Sequence, residues 1–317
     1  MLDESVLRGA KLCVVGNINR DIKTTPLRAG DYLFADGETA IDGVSETIGG
    51  GGANSAAIAA GLGAECSFVG QVGDDETGRR LEQALTRAGV RCHLGKAPNL
   101  ATGTTVNLVF DTGQRHFLSC HPNNAALAFE SLDLRPLATA DHLLRADLWF
   151  SDAMLYGGNE KLFRAARDAG VPVSIDLNWD PKWGHAPAEE IARRKKAVRR
   201  LLPLVDVAHG NIRELGEFAG EARLEASLAR LLEWGVGAVV VHMGAQGAGY
   251  FSGSELVVEA QAPVERRLVA TGTGDVLSVC LVLLHRRADI PIPEKLRLAN
   301  RIVAGFIEGR RALLPSL

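Results

Sequence analysis

The sequence has few features of a nucleic-acid-binding, secreted or membrane-spanning protein. Its 35 Lys and Arg residues face 38 Asp and Glu residues, so the formal charge is −3 and the strong basic surface of a dedicated nucleic-acid binder is excluded. The 5 cysteines lie far apart, which is typical of reduced thiols. Residues 1–11 lack an apolar signal-peptide core, and the longest apolar run, Val276 to Leu284, is half the length of a membrane span. We expect a cytoplasmic protein with no nucleic-acid or membrane partner.

Several common catalytic motifs are missing as well. The absence of G-x-x-x-x-G-K-[ST] excludes a Walker-type NTPase, and the absence of G-x-G-x-x-G makes a dinucleotide oxidoreductase a poor interpretation. Neither H-E-x-x-H nor G-x-S-x-G occurs. The 8 histidines are scattered and predict no metal cluster, and His242, at the end of an apolar strand, is interpreted as structural.

The sequence does contain alternating short apolar runs and helical patterns. Buried strands are expected at residues 11–16, 66–71, 148–151, 171–176, 204–209 and 238–242. Helices are expected from about residue 53 to Gly61 or Gly63, around residues 81–88, after Gly274 and from about Pro293. This alternation predicts an α/β fold of three layers, in which a doubly wound, mainly parallel sheet is covered by helices on both faces.

Two segments do not fit the alternation. Residues 104–110 and 115–120 flank a glycine-containing turn and predict a β-hairpin, whereas residues 30–48 have the pattern of exposed strands and turns. Insertions at about 22–48 and 101–121 are therefore expected to form a small second sheet, which is a natural lid over a site. Because no linker or repeat divides the chain, residues 1–317 are expected to form a single domain.

The strongest local motif is Thr271-Gly272-Thr273-Gly274-Asp275, directly before the apolar run. Glycines at the start of a helix let backbone N–H groups converge on an anion, and the helix dipole adds positive potential there. A carboxylate beside such an anion hole can accept a proton during phosphoryl transfer to a hydroxyl. The alternative interpretation is a glycine-rich turn followed by an acidic residue in the first helical turn.

Three further segments admit two interpretations each. The glycines 49–52 allow a ligand to approach the backbone beside Asn54, or form a flexible entry to a helix. Asn211 and Glu214 suit a ligand site or a capping box. The turn after the first strand carries Asn19 and Asp21, which can hold sugar hydroxyls or simply form a polar turn, since ligands bind beyond the carboxyl ends of strands in open α/β sheets.

Taken together and in this order, the segments resemble the ribokinase-like sugar kinases, also called the phosphofructokinase B family, over nearly the whole chain. The similar segments are GNINRDI (16–22), GGGGANSA (49–56) with GLGAECSFVGQVGDDETG (61–78), DLNWDPKW (176–183), NIRE (211–214), VHMGAQG (241–247) and ATGTGD (270–275). The resemblance implies transfer of the γ-phosphate of ATP to a sugar hydroxyl with Mg²⁺, on a parallel sheet with a small β-lid. We also expect a homodimer formed through the lid.

The resemblance assigns roles by position. Asp275 is implied to be the catalytic base, and the backbone of Gly272, Thr273 and Gly274 the anion hole. The residues implied to face the sugar are Asn19, Asp21, Gly50, Gly51 and Asn54, with Arg115 of the hairpin as a candidate for meeting a carboxylate or phosphate on the sugar or as part of a solvated turn. The residues implied at the ATP and magnesium end are Asn178, Asn211, Glu214 as the metal-linked carboxylate, Gly244, Gly247 and Asn300.

The sequence also departs from the family pattern. Val269 and Ala270 stand where the second signature begins with Asp-Thr, which puts activation by potassium in doubt. Asp180 replaces the arginine of a D-x-N-x-R stretch, a contact that Lys182 is a candidate to replace, and Gly51 replaces a lysine of ribokinase itself. Two alternatives stay open: a nucleoside kinase of the same fold, which needs an aromatic sandwich although aromatic residues are only 5%, and a non-catalytic sugar-binding paralogue.

Overall fold

The computed structural model describes residues 2–269, 271–315 and 317, so Ala270 lies outside the described residues. The strands are β1 (Lys11–Val15), β2 (Asn19–Thr24), β3 (Val44–Gly49), β4 (Glu65–Gly73), β5 (Arg91–Ala97), β6 (Thr104–Val109), β7 (Arg115–Cys120), β8 (His142–Arg145), β9 (Val173–Asp176), β10 (Val207–Asn211), β11 (Ala238–His242), β12 (Ala248–Ser252) and β13 (Glu255–Glu259). The helices are α1 (Gly51–Gly61), α2 (Glu76–Arg87), α3 (Pro122–Ala125), α4 (Asn159–Asp168), α5 (Ala188–Arg199), α6 (Ile212–Ala219), α7 (Leu224–Glu233), α8 (Thr273–Leu283) and α9 (Ile292–Ile307).

A nine-stranded sheet forms the middle layer, in the order β13-β12-β11-β10-β9-β8-β1-β4-β5. Neighbouring strands are parallel except in the pairs β11–β12 and β12–β13. Strand β9 is buried at every position, and β1 at all but its first, as a parallel sheet covered on both faces requires. The predicted doubly wound, mainly parallel sheet is therefore confirmed.

Each face of the sheet has its own apolar core. Helices α1, α2, α8 and α9 pack against one face, and α4, α6 and α7 pack against the other. Every residue from Val276 to Leu283 is buried, so the long apolar run is the central helix of the first core. None of the described helices combines the length and apolarity that a membrane span needs.

A second, four-stranded sheet has the order β3-β2-β6-β7. Strands β2 and β6 are parallel, and the two outer pairs are antiparallel. The hairpin β6–β7 agrees with the prediction for residues 104–120, whereas residues 31–34 form only a short 3₁₀ turn. This sheet begins at Asn19, four residues after the end of β1, so it starts close to the carboxyl end of that strand.

One predicted strand was wrong. Residues 148–151 are a loop, and the strand of the large sheet lies earlier, at β8. Leu148 and Trp149 are apolar because they are buried in the core, not because they pair in the sheet. Asp147 lies between β8 and these two residues, and its φ of 57° interrupts the extended backbone there. The antiparallel strands β12 and β13 were not predicted.

Candidate active site

The start of α8 has the geometry expected of an anion hole. Gly272 caps the helix with a φ of 84°, a left-handed conformation that glycine adopts readily. The N–H groups of the first helical turn have no intrahelical partner, so those of Thr273 and Gly274 are free to bind an anion. Asp275 lies in this first turn, beside those donors.

The Asp275 carboxyl is set up to exchange a proton near neutral pH. Burial, together with the negative charges of Asp147 and Glu214, raises its pKa to about 7, although the amide of Asn54 acts in the opposite direction. A general base is most effective when its pKa lies near the working pH. The pKa of Asp275 is therefore suited to removing a proton from a substrate hydroxyl.

Asn54 links α1 to this carboxyl. Its side chain lies beside Asp275, and its Oδ1 atom is buried without a hydrogen-bond partner among the described residues. A buried amide oxygen without a donor is uncommon in folded proteins. A substrate hydroxyl between Asn54 and Asp275 would supply the missing donor.

A second polar cluster lies on the second sheet. Asn19 Nδ2 donates to Asp21 Oδ1 over 2.6 Å and reaches Thr105 Oγ1 at 3.4 Å. Burial raises the pKa of Asp21 to about 6. Gly49 pairs with Asn19 across the sheet, and a Cβ there would lie 2.0 Å from Asp21 Oδ1, so only glycine leaves room for this carboxyl. The predicted pair Asn19 and Asp21 is thus brought together.

The structure adds Asp147, which was not predicted from the sequence. Its carboxylate accepts N–H bonds from Asn17 at 2.9 Å, Gly51 at 3.2 Å and Gly52 at 2.8 Å, so it caps the start of α1. The N–H of Gly51, predicted to face the sugar, is therefore occupied by Asp147. A signal was present, because this acid closely follows the end of a buried strand, where ligands of α/β sheets bind.

Acidic side chains also converge beneath α8. Burial raises the pKa of Asp176 well above its usual value, and the charges of Glu214, Asp275 and Asp147 act in the same direction. Asp176 Oδ2 accepts a hydrogen bond from Ser278 Oγ at 3.3 Å. Because these acids repel one another, a divalent cation near them would lower the energy of their charged forms.

Glu214 forms a capping box with Asn211, one of the two interpretations of this spacing. Its Oε2 accepts the N–H of Asn211 at 2.8 Å, and Asn211 Oδ1 accepts the N–H of Glu214 at 2.9 Å. Residues 2–269 and 271–315 contain no group of three His, Cys, Asp or Glu side chains arranged to hold a metal ion. Mg²⁺ commonly takes only one or two carboxylates and keeps water and phosphate oxygens, so Glu214 and its acidic neighbours still fit this ion.

A cavity of about 480 Å³ opens beside the anion hole and collects most of the residues predicted to bind ATP. Its lining includes Asn211, Gly244, Gly247, Thr273, Gly274 and Asn300. Asn300 also donates two hydrogen bonds, to the carbonyls of Glu259 at 2.9 Å and Ala260 at 3.0 Å, so its amide holds the end of β13. His242 and Arg267, which were not predicted to bind ATP, line the cavity too.

Asn178 and Gly50 are predicted site residues that do not line this cavity. Asn178, with a φ of 45°, accepts the N–H of Asp147 at its Oδ1 over 3.3 Å, so its carboxamide oxygen fixes the loop that carries that acid. Gly50 also lies outside the cavity lining, at the N-terminal cap of α1.

Arg115 joins the second sheet to the start of α8. Its guanidinium donates a hydrogen bond to the hydroxyl of Thr271, directly before the anion hole. The side chain is exposed, yet it is held by this contact and is not part of a freely solvated turn. It therefore places one edge of the second sheet over the candidate active site.

Comparison with known proteins gives a family match over most of the chain. Residues 10–303 match the family described as pfkB family carbohydrate kinase. The chain is 27% identical over 286 residues to a ribokinase of Arabidopsis thaliana, a match that covers 86% of this chain and 69% of that protein. It is 26% identical over 273 residues to an aminoimidazole riboside kinase of Salmonella typhimurium, a match that covers 83% of each.

A similar fold occurs in a solved structure of an E. coli protein described as a ribokinase II, in complex with ATP and Mg²⁺. The TM-score is 0.78 and the sequence identity 22%, over 96% of this chain and 94% of that chain. The likeness confirms the predicted ribokinase-like architecture, with its large, mostly parallel sheet and its smaller second sheet.

Proposed function

The chain belongs to the pfkB family of carbohydrate kinases, and from this premise we propose that it transfers the γ-phosphate of ATP to a hydroxyl of a sugar or sugar derivative. The observation that carries the proposal is the position of Asp275 in the first turn of α8, beside free backbone donors and a buried Asn54 oxygen that lacks a partner among the described residues. A proton acceptor, an anion hole and a hydroxyl site are thereby close to one another.

The two substrates, ATP and the sugar, would bind on opposite sides of Asp275. The cavity beside Gly244, Gly247 and Asn300 is large enough for part of a nucleotide, and it opens onto the anion hole. Asn19 and Asp21 of the second sheet would hold sugar hydroxyls, since both carry polar atoms suited to such bonds. The acceptor hydroxyl then lies between Asn54 and Asp275, with the phosphate at the N-terminus of α8.

Asp275 would accept the hydroxyl proton, while the N–H groups of Thr273 and Gly274 stabilise the transferring phosphoryl group. A positioned base contributes about 10²–10⁴-fold to rate, so most of the acceleration must come from positioning and from compensation of phosphate charge. Mg²⁺, when bound near Glu214, neutralises phosphate charge. Arg115 would hold the second sheet over the site and limit the access of water to ATP.

The compartment and the assembly follow as further proposals. All five cysteines are free, and Cys13, Cys66 and Cys280 are buried, which suits a reducing compartment such as the cytoplasm. The second sheet exposes Phe117 and Leu118 of β7, and a homodimer through this sheet would cover them.

The experiment that tests the proposed function measures ADP release with a panel of sugars, sugar acids and nucleosides. We expect Mg²⁺-dependent turnover with at least one acceptor, and ³¹P NMR should show a phosphate monoester of it. Asp275→Asn is the matched control, because it removes the base and keeps the size of the side chain. Acceptor binding without turnover in the native protein would identify the sugar-binding paralogue instead.

One observation favours a nucleoside as a second candidate acceptor. A cavity of about 710 Å³ lies between the second sheet and the loops after β8 and β9, and its aromatic lining consists of Phe117, His121, Trp149, Phe150, Trp179 and His185. It adjoins the sugar residues through Thr105, whose Oγ1 lies 2.9 Å from His121 Nε2 and 3.4 Å from Asn19 Nδ2. Low aromatic content overall therefore does not exclude an aromatic base pocket.

Truncation of Trp179 separates the two candidates. Its ring is held by the Arg213 guanidinium, 4.0 Å from the ring centre, so it is a fixed surface for stacking. Base–aromatic stacking contributes about 1–3 kcal/mol, so Trp179→Ala should lower kcat/KM for a nucleoside by roughly tenfold or more and leave a free sugar nearly unaffected. Phe34→Ala, at a residue that is 91% exposed, is the control. An equal loss with both acceptors would contradict the nucleoside assignment.

A further inference from the structure

A row of buried polar side chains crosses the large sheet beneath the C-terminal half of α8. His142 of β8, Ser174 of β9 and His209 of β10 all face this helix layer, and His142 Nε2 lies 2.8 Å from Ser174 Oγ. The surrounding residues of this core are apolar. The catalytic proposal uses none of these three side chains.

Of these three side chains, His209 has the fewest hydrogen-bond partners. The residue is 1% exposed, and neither ring nitrogen has a hydrogen-bond partner in the described part of the chain. Burial and the nearby His242 and His285 hold its pKa well below the usual value, so the ring is neutral. A neutral imidazole still carries one N–H donor, and leaving a buried donor unpaired costs free energy.

Lys295 of α9 is a second buried polar residue without a partner among the described residues. It is 7% exposed, and no carboxylate in residues 2–269, 271–315 and 317 lies within ion-pair distance of its ammonium group. Asp289 is the acid that affects its pKa, but the Asp289 carboxylate pairs with Arg287 at 2.7 Å. Lysines are almost never buried to this extent unless an anion is at hand.

The two residues line one cavity of about 160 Å³, which lies between the sheet and the helices α8 and α9. Ser174, Tyr250 and His285 supply the other polar groups, and the walls are Val207, Val240, Leu281 and Ile292. No carboxylate is among these lining residues. The cavity thus presents one ammonium, two imidazoles and two hydroxyls to whatever fills it.

The size and chemistry of the cavity define its ligand. At about 30 Å³ per water molecule, the volume corresponds to about five waters, which suits a five-atom oxyanion and excludes a nucleotide. Water alone would leave the ammonium of Lys295 without a counter-charge among the residues that line the cavity. A metal ion is disfavoured, because none of the described His, Cys, Asp and Glu side chains form a suitable group of three.

We propose that this cavity is a binding site for a tetrahedral oxyanion of the phosphate or sulfate type, held by Lys295, His209 and His285. The site goes beyond the proposed kinase reaction and shares no lining residue with the nucleotide cavity. Its roof is Leu281 of α8, the helix whose first turn carries Asp275. A bound anion would therefore tie the catalytic helix to the sheet and to α9.

Thermal unfolding in the presence of sulfate tests the proposal without any need for turnover. The melting temperature is measured across sulfate concentrations at constant ionic strength, balanced with sodium chloride, while a non-hydrolysable ATP analogue fills the nucleotide cavity. We expect a saturable rise that gives a dissociation constant by linkage. Lys295→Gln should weaken this constant at least tenfold, whereas Lys196→Gln, the same change at an exposed position of α5, should leave it unaltered.

His285→Gln provides a second variant at a partly exposed position, should the buried lysine prove essential for folding. Competition between phosphate and sulfate, in which one anion is titrated in the presence of the other, shows which of the two binds more tightly. Diffraction from crystals soaked in selenate should show an anomalous peak between Lys295 and His209. The proposal is wrong if sulfate stabilises no more than chloride, if both variants bind sulfate like the native protein, or if selenate binds only elsewhere.

Discussion

Arg194 and Asp180 form a buried ion pair, with Arg194 Nε 2.7 Å from Asp180 Oδ2. Asp180 stands where the related D-x-N-x-R stretch carries an arginine, so the sequence suggested that a basic contact had been lost. In the structure, the loop after β9 supplies the acid of this pair, and α5 supplies the arginine. Lys182, the candidate replacement, directs its ammonium toward Glu190 at 3.6 Å.

Breaking this pair should destabilise the protein strongly. Asp180 is fully buried, and removal of one partner of a buried pair typically costs about 3–5 kcal/mol because the other charge stays unpaired. We expect Asp180→Asn to lower the free energy of unfolding, measured in urea, by an amount of that order. Asp152 contacts the same guanidinium at 2.9 Å but its side chain is 70% exposed, so Asp152→Asn should cost about 0–1 kcal/mol. Similar losses in both variants would contradict this view of the pair.

The pH dependence of turnover should report on Asp275. Its pKa is raised to about 7, and only the ionised carboxylate accepts a proton. We expect kcat/KM to fall about tenfold per pH unit well below pH 7 and to reach a plateau above it.

Asp275→Asn should lower kcat by about 10²-fold or more and leave acceptor and ATP binding nearly unchanged. A loss of less than about tenfold would exclude Asp275 as the base.

The same carboxyl should oppose folding at higher pH. A folded-state pKa above the unfolded value of 3.8 means that the folded protein holds its proton more tightly, so stability falls as the pH rises from about 4 to about 7. Asp275→Asn removes that loss. The variant should therefore gain melting temperature relative to the native protein at about pH 8 and little or nothing at about pH 4, and a pH-independent difference would contradict the raised pKa.

Much of the candidate active site could be predicted from the sequence, because residues adjacent in the chain determine its local structure. The Gly-Thr-Gly-Asp start of α8 and the Asn-x-x-Glu cap of α6 each depend on residues adjacent in the chain. Asp147 escaped prediction because its partners Asn17, Gly51 and Gly52 are distant in the chain, and only the folded sheet brings them together. The misplaced strand at 148–151 has a related cause, since apolarity reports burial and not strand pairing.

Glu214→Gln should separate the proposed metal role of this residue from its capping role. Glutamine also completes a capping box, so the stability of α6 should change little. An amide is a poorer ligand for Mg²⁺ or its waters than a carboxylate. We expect the Mg²⁺ concentration for half-maximal turnover to rise several-fold while the acceptor KM stays nearly constant. An unchanged Mg²⁺ requirement would restrict Glu214 to the cap.

Potassium should activate the enzyme weakly or not at all. Val269 stands where the related signature has an aspartate and lines the cavity of about 480 Å³ beside the anion hole, so it offers no anionic oxygen to a cation there. A hard monovalent cation would have to rely on backbone carbonyls alone. The measurement is kcat in potassium chloride against tetramethylammonium chloride at equal ionic strength, because salt also screens the charged substrates. Val269→Asp tests the cause, because restoring the acid should introduce activation by potassium. A large, saturable activation of the native protein by potassium would contradict the prediction and show that carbonyl oxygens are sufficient to bind the cation.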